Sequence, residues 1–151
     1  MKDIKGLCVG KVKEKYFRDG IAFFAGQINK KYPVSIVECD DEATPDRASE
    51  AEELRIRETE GRKLLEKIRE EDYVIALCID GRQYPSDVWR ERMQKRARLI
   101  SGSLVFVIGG SLGLSGAVVR RADEKLSFSA MTFPHQMMRM ILCEQIADAF
   151  A

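Results

Sequence analysis

Short unbroken apolar runs alternate along this chain with stretches whose apolar residues recur at helical spacing. Ile4 to Val9 is mostly apolar and stops at Gly10, the pattern of a buried strand; from Tyr16 to Lys31, Phe17, Ile21, Phe24 and Ile28 share a helical face. Pro33 resets the backbone, and Val34 to Val37, β-branched apart from Ser35, predicts a second strand. Asp40 to Asp46 is a polar loop. From Pro45, a residue suited to a first helical turn, a long helix is expected to about Arg69, with Ala51, Leu54, Leu64, Leu65 and Ile68 scattered among charges and most of its surface wet. Tyr73 to Ile79 carries no charge and is too short for a helix, so it predicts a central strand, with a turn at Gly81. Ser86 is placed to cap a helix in which Trp89, Met93, Ala97 and Ile100 line up, ended by Gly102. Leu104 to Ile108 is another buried-type strand running into Gly109-Gly110, Ser115 starts a helix to about Ala122, and Leu126 and Phe128 form a last short strand. The final helix runs from Pro134 to the end.

This order predicts one α/β domain over residues 1–151, a mostly parallel sheet with helices on both faces. The last helix is apolar on more than one stripe: Met137, Met138, Met140, Ile141, Leu142, Ile146, Ala147 and Phe150. Such a helix is expected to need its own sheet and a second subunit to cover it, hence a homodimer; burial inside the monomer is the alternative. No apolar run approaches the roughly 20 residues that span a bilayer, and the amino terminus lacks the order of a signal peptide, so a cytoplasmic protein with no membrane partner is expected. Four dispersed cysteines and a single histidine, His135, give no metal spacing; reduced, mostly buried thiols and no metal are expected.

The net charge of +1 hides an uneven distribution. Between Glu38 and Asp72 there are 14 acidic and 7 basic residues, so the basic excess lies elsewhere. It clusters at Lys11, Lys13, Lys15 and Arg18, at Arg90, Arg92, Lys95, Arg96 and Arg98, and at Arg120, Arg121 and Lys125. These are either phosphate-binding patches or solvated faces.

Ligands of open α/β sheets bind beyond the carboxyl ends of the strands, which directs attention to the loops after Leu77, Ile108 and Phe128. The second reads Gly109-Gly110-Ser111-Leu112-Gly113-Leu114-Ser115-Gly116. Its paired glycines let a ligand approach main-chain groups, although a bare tight turn has the same look. It lacks both the G-x-G-x-x-G spacing and the lysine of a P-loop, so phosphate cradling is not indicated. The third, Ser127 to His135, mixes hydroxyls with apolar walls at Phe128, Met131 and Phe133; its blander reading is a capping loop in which Thr132 caps the helix at Pro134.

Taken in order, Gly10-Lys11 with Lys13-Glu14-Lys15-Tyr16, Thr44-Pro45, Glu60-Gly61, Val107 to Leu114, and Leu126 to Gln136 resemble the bacterial ribosomal RNA large subunit methyltransferase H family, of the SPOUT class. The likeness covers essentially the whole chain. It implies a homodimeric enzyme that moves a methyl group from S-adenosylmethionine to ring nitrogen 3 of a pseudouridine in large-subunit (23S) rRNA of assembled ribosomes. It also implies a trefoil knot in the carboxyl-terminal half, which general rules of chain connection discourage. Cofactor contacts implied by the resemblance fall on Leu77, Gly109, Phe128, Ser129, Ala130, Met131, Thr132 and Phe133, with no metal.

Methylation at that nitrogen requires loss of its proton, and the residues leave the acceptor open. His135 alone has a pKa naturally near neutrality, though just inside a helix start a structural role fits it as well. Arg139, one turn on, is a candidate for RNA phosphate or for orienting the base, or else pairs with Glu144. Family members usually continue past the last helix into a short polar tail with Pro-Tyr-His and a basic residue, whereas this sequence stops at Ala151. Two other readings stand beside the enzyme: a nonenzymatic RNA-binding or ribosome-associated module, and a nucleotide-binding α/β protein of another kind.

Overall fold

A computed structural model describes all 151 residues as five strands and five helices in alternation: β1 (Ile4–Val9), α1 (Lys15–Asn29), β2 (Val34–Cys39), α2 (Glu50–Leu65), β3 (Tyr73–Arg82), α3 (Ser86–Leu99), β4 (Leu104–Ile108), α4 (Gly116–Arg121), β5 (Glu124–Leu126) and α5 (His135–Phe150). The strands form one sheet in the order β2-β1-β4-β3-β5, every pair parallel. The expected fold class is therefore the observed one.

Strand alternation divides the core in two. Ile4, Cys8, Ile75, Leu104, Phe106 and Ile108 point to one face and pack with Ile28 of α1, Trp89, Met93 and Ala97 of α3, and Leu142, Ile146 and Phe150 of α5. Leu7, Val9, Val74, Val105 and Val107 point the other way, onto Leu64 of α2 and Val118 of α4. A strand covered on both faces has no polar side, which is why β4 reads as five consecutive apolar residues, all buried. No helix is long and apolar enough to cross a membrane. Cys8, Cys39 and Cys143 are buried free thiols and Cys78 is half-buried.

Several boundaries differ from the sequence reading, among them the end of α2, which stops at Leu65 rather than about Arg69. α2 starts at Glu50, not Pro45, because Ser49 and Glu52 form a reciprocal capping box: the Ser49 hydroxyl accepts from Glu52 N at 3.1 Å and Glu52 accepts from Ser49 N at 3.3 Å. Satisfying two free amides there stabilises the start by about 1 kcal/mol, and Pro45 stays in the preceding loop. Ser86 is the first residue of α3 rather than its cap, which is Pro85. β3 continues through the expected turn to Arg82, but with a register break: Leu126 pairs with both Leu77 and Arg82, so Cys78 to Gly81 bulge out between them. Gly81 permits this, since a Cβ there would lie 2.7 Å from main-chain carbon of Leu126. β5 is Glu124–Leu126 and leaves Phe128 in the following loop.

The final helix is covered in large part by its own chain, the alternative named for it above. α5 lies on the sheet between α1 and α3, so Leu142, Cys143, Ile146, Ala147, Ala149 and Phe150 are buried within the one chain. A five-stranded sheet flanked by two other helices supplies the second wall that was expected from another subunit. Met137, Met138, Met140 and Ile141 remain half-buried.

Candidate active site

The carboxyl ends of β3, β4 and β5 meet at one cleft of about 160 Å³, open to solvent. Each loop picked out from the sequence contributes. β3 brings Leu77 with Cys78 and Ile79 of its bulge; β4 runs into Gly109 and Gly110; the loop after β5 brings Phe128, Ser129, Met131, Thr132 and Phe133; and His135 and Met138 close it from α5. Of the cofactor residues implied by the resemblance, Ala130 alone is turned away, exposed to solvent and off the cleft wall.

The glycine turn is a built structure. Gly113 N donates to Gly110 O at 3.0 Å, closing a short antiparallel bridge, and Gly113 has φ +83°. A Cβ on Gly109 would lie 2.7 Å from the carbonyl carbon of Gly113 and 2.9 Å from its oxygen, so only glycine lets the two ends approach. Gly110 is backed by Val9 and by the Glu60 carboxylate. Glu60 is buried, accepts from Glu42 N at 3.0 Å, and has its pKa pushed up chiefly by burial. Sequence reasoning met Glu60 only within the family likeness; nothing local marks it as the brace between the β2–α2 loop and the glycine turn.

The loop after β5 shapes itself. Ser127 Oγ donates to Ser129 O at 3.0 Å and Met131 N donates to Ser129 Oγ at 3.0 Å, so these hydroxyls bend the main chain and hold the apolar side chains toward the cleft. Thr132 is exposed and makes no cap; Pro134 is the capping residue of α5 and bonds nothing with its side chain.

No Asp, Glu, Lys or Arg lines the cleft. Its titratable groups are His135 and Cys78. Burial, helped by the Arg139 charge and opposed by Asp41, holds His135 below its usual pKa, so the ring is neutral at pH 7. Burial pushes the Cys78 thiol up, so it stays protonated. Cys78, Ile79 and Met138 were not among the candidate site residues read from the sequence. Met138 was recoverable, being one helical turn after His135; the bulge residues were not, because only pairing with β5 creates the bulge.

Arg139 requires a correction. It faces neither solvent nor Glu144: it is 1% exposed, and its guanidinium donates to Val9 O at 2.6 Å, Gly10 O at 2.9 Å and Glu38 Oε2 at 3.1 Å. A side chain so enclosed does not reach an RNA phosphate. Position 139 lies on the stripe of α5 that faces the end of β1, and only the folded helix reveals this.

Fold and cleft together define an α/β domain with a pocket of glycine main chain and apolar side chains at the carboxyl edge of a parallel sheet, where such sheets bind their ligands. The family model described as "Predicted SPOUT methyltransferase" matches residues 2–151, and the chain belongs to that family. Curated relatives agree across nearly the full length. A protein of Lacticaseibacillus casei (strain BL23) called "Ribosomal RNA large subunit methyltransferase H" is 48% identical over 148 residues, 98% of this chain and 93% of its own. Proteins of the same name from Streptococcus thermophilus (strain CNRZ 1066) and Streptococcus pneumoniae (strain CGSP14) are 46% and 44% identical, each covering 97% of this chain and 92% of its own. The chain is thus a methyltransferase, and the enzyme reading prevails over the nonenzymatic module.

Proposed function

We propose that this enzyme takes its methyl group from S-adenosylmethionine and places it on ring nitrogen 3 of a pseudouridine in 23S rRNA of assembled ribosomes, in the cytoplasm. The observation that carries the proposal is the convergence of the glycine turn and the Phe128–Phe133 loop on one uncharged cleft, in a chain whose relatives bear the rRNA methyltransferase name. The residues fit the donor: the absence of side chains at Gly109 and Gly110 lets a ligand approach the main chain closely, and Leu77, Phe128, Met131 and Phe133 offer apolar walls. Bound there, S-adenosylmethionine supplies an electrophilic methyl group on a sulfonium centre. The trefoil knot that the resemblance implies belongs to the proposal too. So does the homodimer, because Tyr16 and Phe23 of α1 are 66% and 61% exposed, and Met137, Met138, Met140 and Ile141 of α5 remain half-buried. Light scattering at micromolar concentration should therefore read twice the 17.2 kDa chain mass.

Two measurements test the core of the reading. Calorimetry should register S-adenosylmethionine binding at micromolar affinity, and labelled methyl groups should appear in 23S rRNA of ribosomes lacking the modification. A protein that binds the cofactor but leaves ribosomes unlabelled has another substrate.

The chain's own contribution to the chemistry is placement, exclusion of water by the apolar walls, and acceptance of the nitrogen's proton. His135 is proposed as the acceptor, being on the cleft and neutral. His135→Asn should lower kcat by about a hundredfold with cofactor affinity retained. Because the histidine pKa is held down, the parent's rate should fall only as pH drops through a value below the ordinary 6.5, and this acid limb should vanish in the variant. An unchanged kcat, or an acid limb that persists, would reduce His135 to a structural residue.

A further inference from the structure

The β1–α1 loop, Gly10 to Glu14, is fastened from three sides. Gly10 opens it at φ +86°, a conformation suited to glycine. Arg139 of α5 holds the carbonyls of Val9 and Gly10, and the Glu38 carboxylate oxygen that Arg139 engages also accepts from Val12 N at 2.8 Å. Gln136 accepts from Lys13 N at 3.0 Å. Arg18 of α1 donates to Val12 O at 3.2 Å and Lys13 O at 2.6 Å. β2, α1 and α5 thus fix five residues of main chain between them.

What this fixed loop shows to solvent is two ammonium groups. Lys11 and Lys13 are exposed, and neither takes part in any of the ion pairs. Several cations elsewhere are engaged, Lys15 with Asp19 at 2.8 Å, Lys95 with Glu91, Arg92 with Glu124, and Arg96 over the Tyr73 ring; Lys30, Lys31, Arg98 and Arg120 are in no ion pair either, but none of them lies on this loop. The acidic groups near the loop are Glu38, which is paired with Arg139, Glu14, which is exposed, and Asp41, whose side chain lies beside Gly10.

The loop also stands next to the cleft. On the first turn of α5, His135 and Met138 line the cleft while Gln136 and Arg139 tie down the loop, adjacent stripes of one helix. The cleft and the loop that carries the cations therefore meet at the same turn of α5. The cleft itself has no charged side chain, so it offers a polyanion no electrostatic affinity.

We infer that Lys11 and Lys13 form a phosphate clamp for the RNA strand whose base enters the cleft, with Gln136, Glu38 and Arg139 as positioning residues that hold the clamp in register. The inference rests on the rRNA reading and specifies how the polyanion is held. Phosphate contacts fix register on a nucleic acid, and cations on main chain that is already ordered lose little further freedom on binding.

The test is steady-state methyl transfer to unmodified ribosomes over a series of salt concentrations, with cofactor calorimetry alongside. Lys11→Ala/Lys13→Ala should raise KM for ribosomes about tenfold or more and flatten the log KM against log salt slope by about 2, leaving kcat and cofactor affinity unchanged. Lys30→Ala/Lys31→Ala, at the opposite end of α1, should match the parent. Gln136→Ala removes a tether and no charge, so it should raise KM with the salt slope kept. A Lys11→Ala/Lys13→Ala enzyme with the parent's KM and slope overturns the clamp while the rRNA reading stands, and an unaffected Gln136→Ala removes that residue's positioning role. A parent that binds cofactor yet methylates no ribosome overturns the rRNA reading and the clamp with it.

Discussion

Gly109→Ala is expected to weaken S-adenosylmethionine binding by ten- to a hundredfold, roughly, the equivalent of the 1–3 kcal/mol that overpacking typically costs. The added methyl has nowhere to go. Its nearest neighbours would be the Gly113 carbonyl carbon at 2.7 Å, the Gly113 oxygen at 2.9 Å and Leu114 Cδ2 at 3.1 Å, and the first two are main chain that no rotamer change relieves. The turn must therefore open, and the bridge between Gly110 and Gly113 opens with it. Gly26→Ala is the matched control. It lies within α1 with open space around its Cβ, so it should gain about 0.5–1 kcal/mol of stability and leave cofactor binding alone. Normal calorimetry for Gly109→Ala would mean that the glycine turn is not the cradle.

Arg139→Met should lower unfolding free energy by about 1–3 kcal/mol in urea titrations, the cost of leaving buried carbonyls without their donor, while the Glu38 carboxylate, about a third exposed, is partly rehydrated. The guanidinium is the largest fully buried side chain of the molecule and serves three acceptors at once: two carbonyls at the end of β1 and the Glu38 carboxylate on β2. Methionine fills much of the volume but leaves all three without their donor. Adding Glu38→Gln to Arg139→Met should recover part of the loss, since the charge left unpaired is then gone. Glu144→Ala should stay within about 0.5 kcal/mol of the parent, because Glu144 is exposed and makes no pair with Arg139. A loss at Glu144 comparable to that at Arg139 would refute this account of the network.

Much of the architecture was legible in the chain because the signals are local. A strand covered on both faces must be apolar at every position, and β4 is; a helix resting on a sheet must repeat its apolar residues, and α1 and α3 do. Helix starts were less legible. Pro45 and Ser86 both carry start signals, but the reciprocal bonds of Ser49 and Glu52 placed one start and Pro85 took the cap of the other. The bulge at Cys78 to Gly81 arises from pairing with Leu126, some 45 residues further along, beyond the reach of any local pattern.

The sequence by itself determined the alternation of strands and helices, the two-faced burial of the sheet and the location of the glycine turn, since each is set by neighbours a few residues away. Its likeness to a known family pointed to the cleft's residues, but not to Cys78, Ile79 or Met138. Only the tertiary structure decided the order β2-β1-β4-β3-β5, the turning away of Ala130, and the burial of Arg139 against a carbonyl 129 positions earlier in the chain. An arginine's surroundings follow from which helix face meets which strand end, and that choice is made by the packing of the whole core, not by the residues beside it.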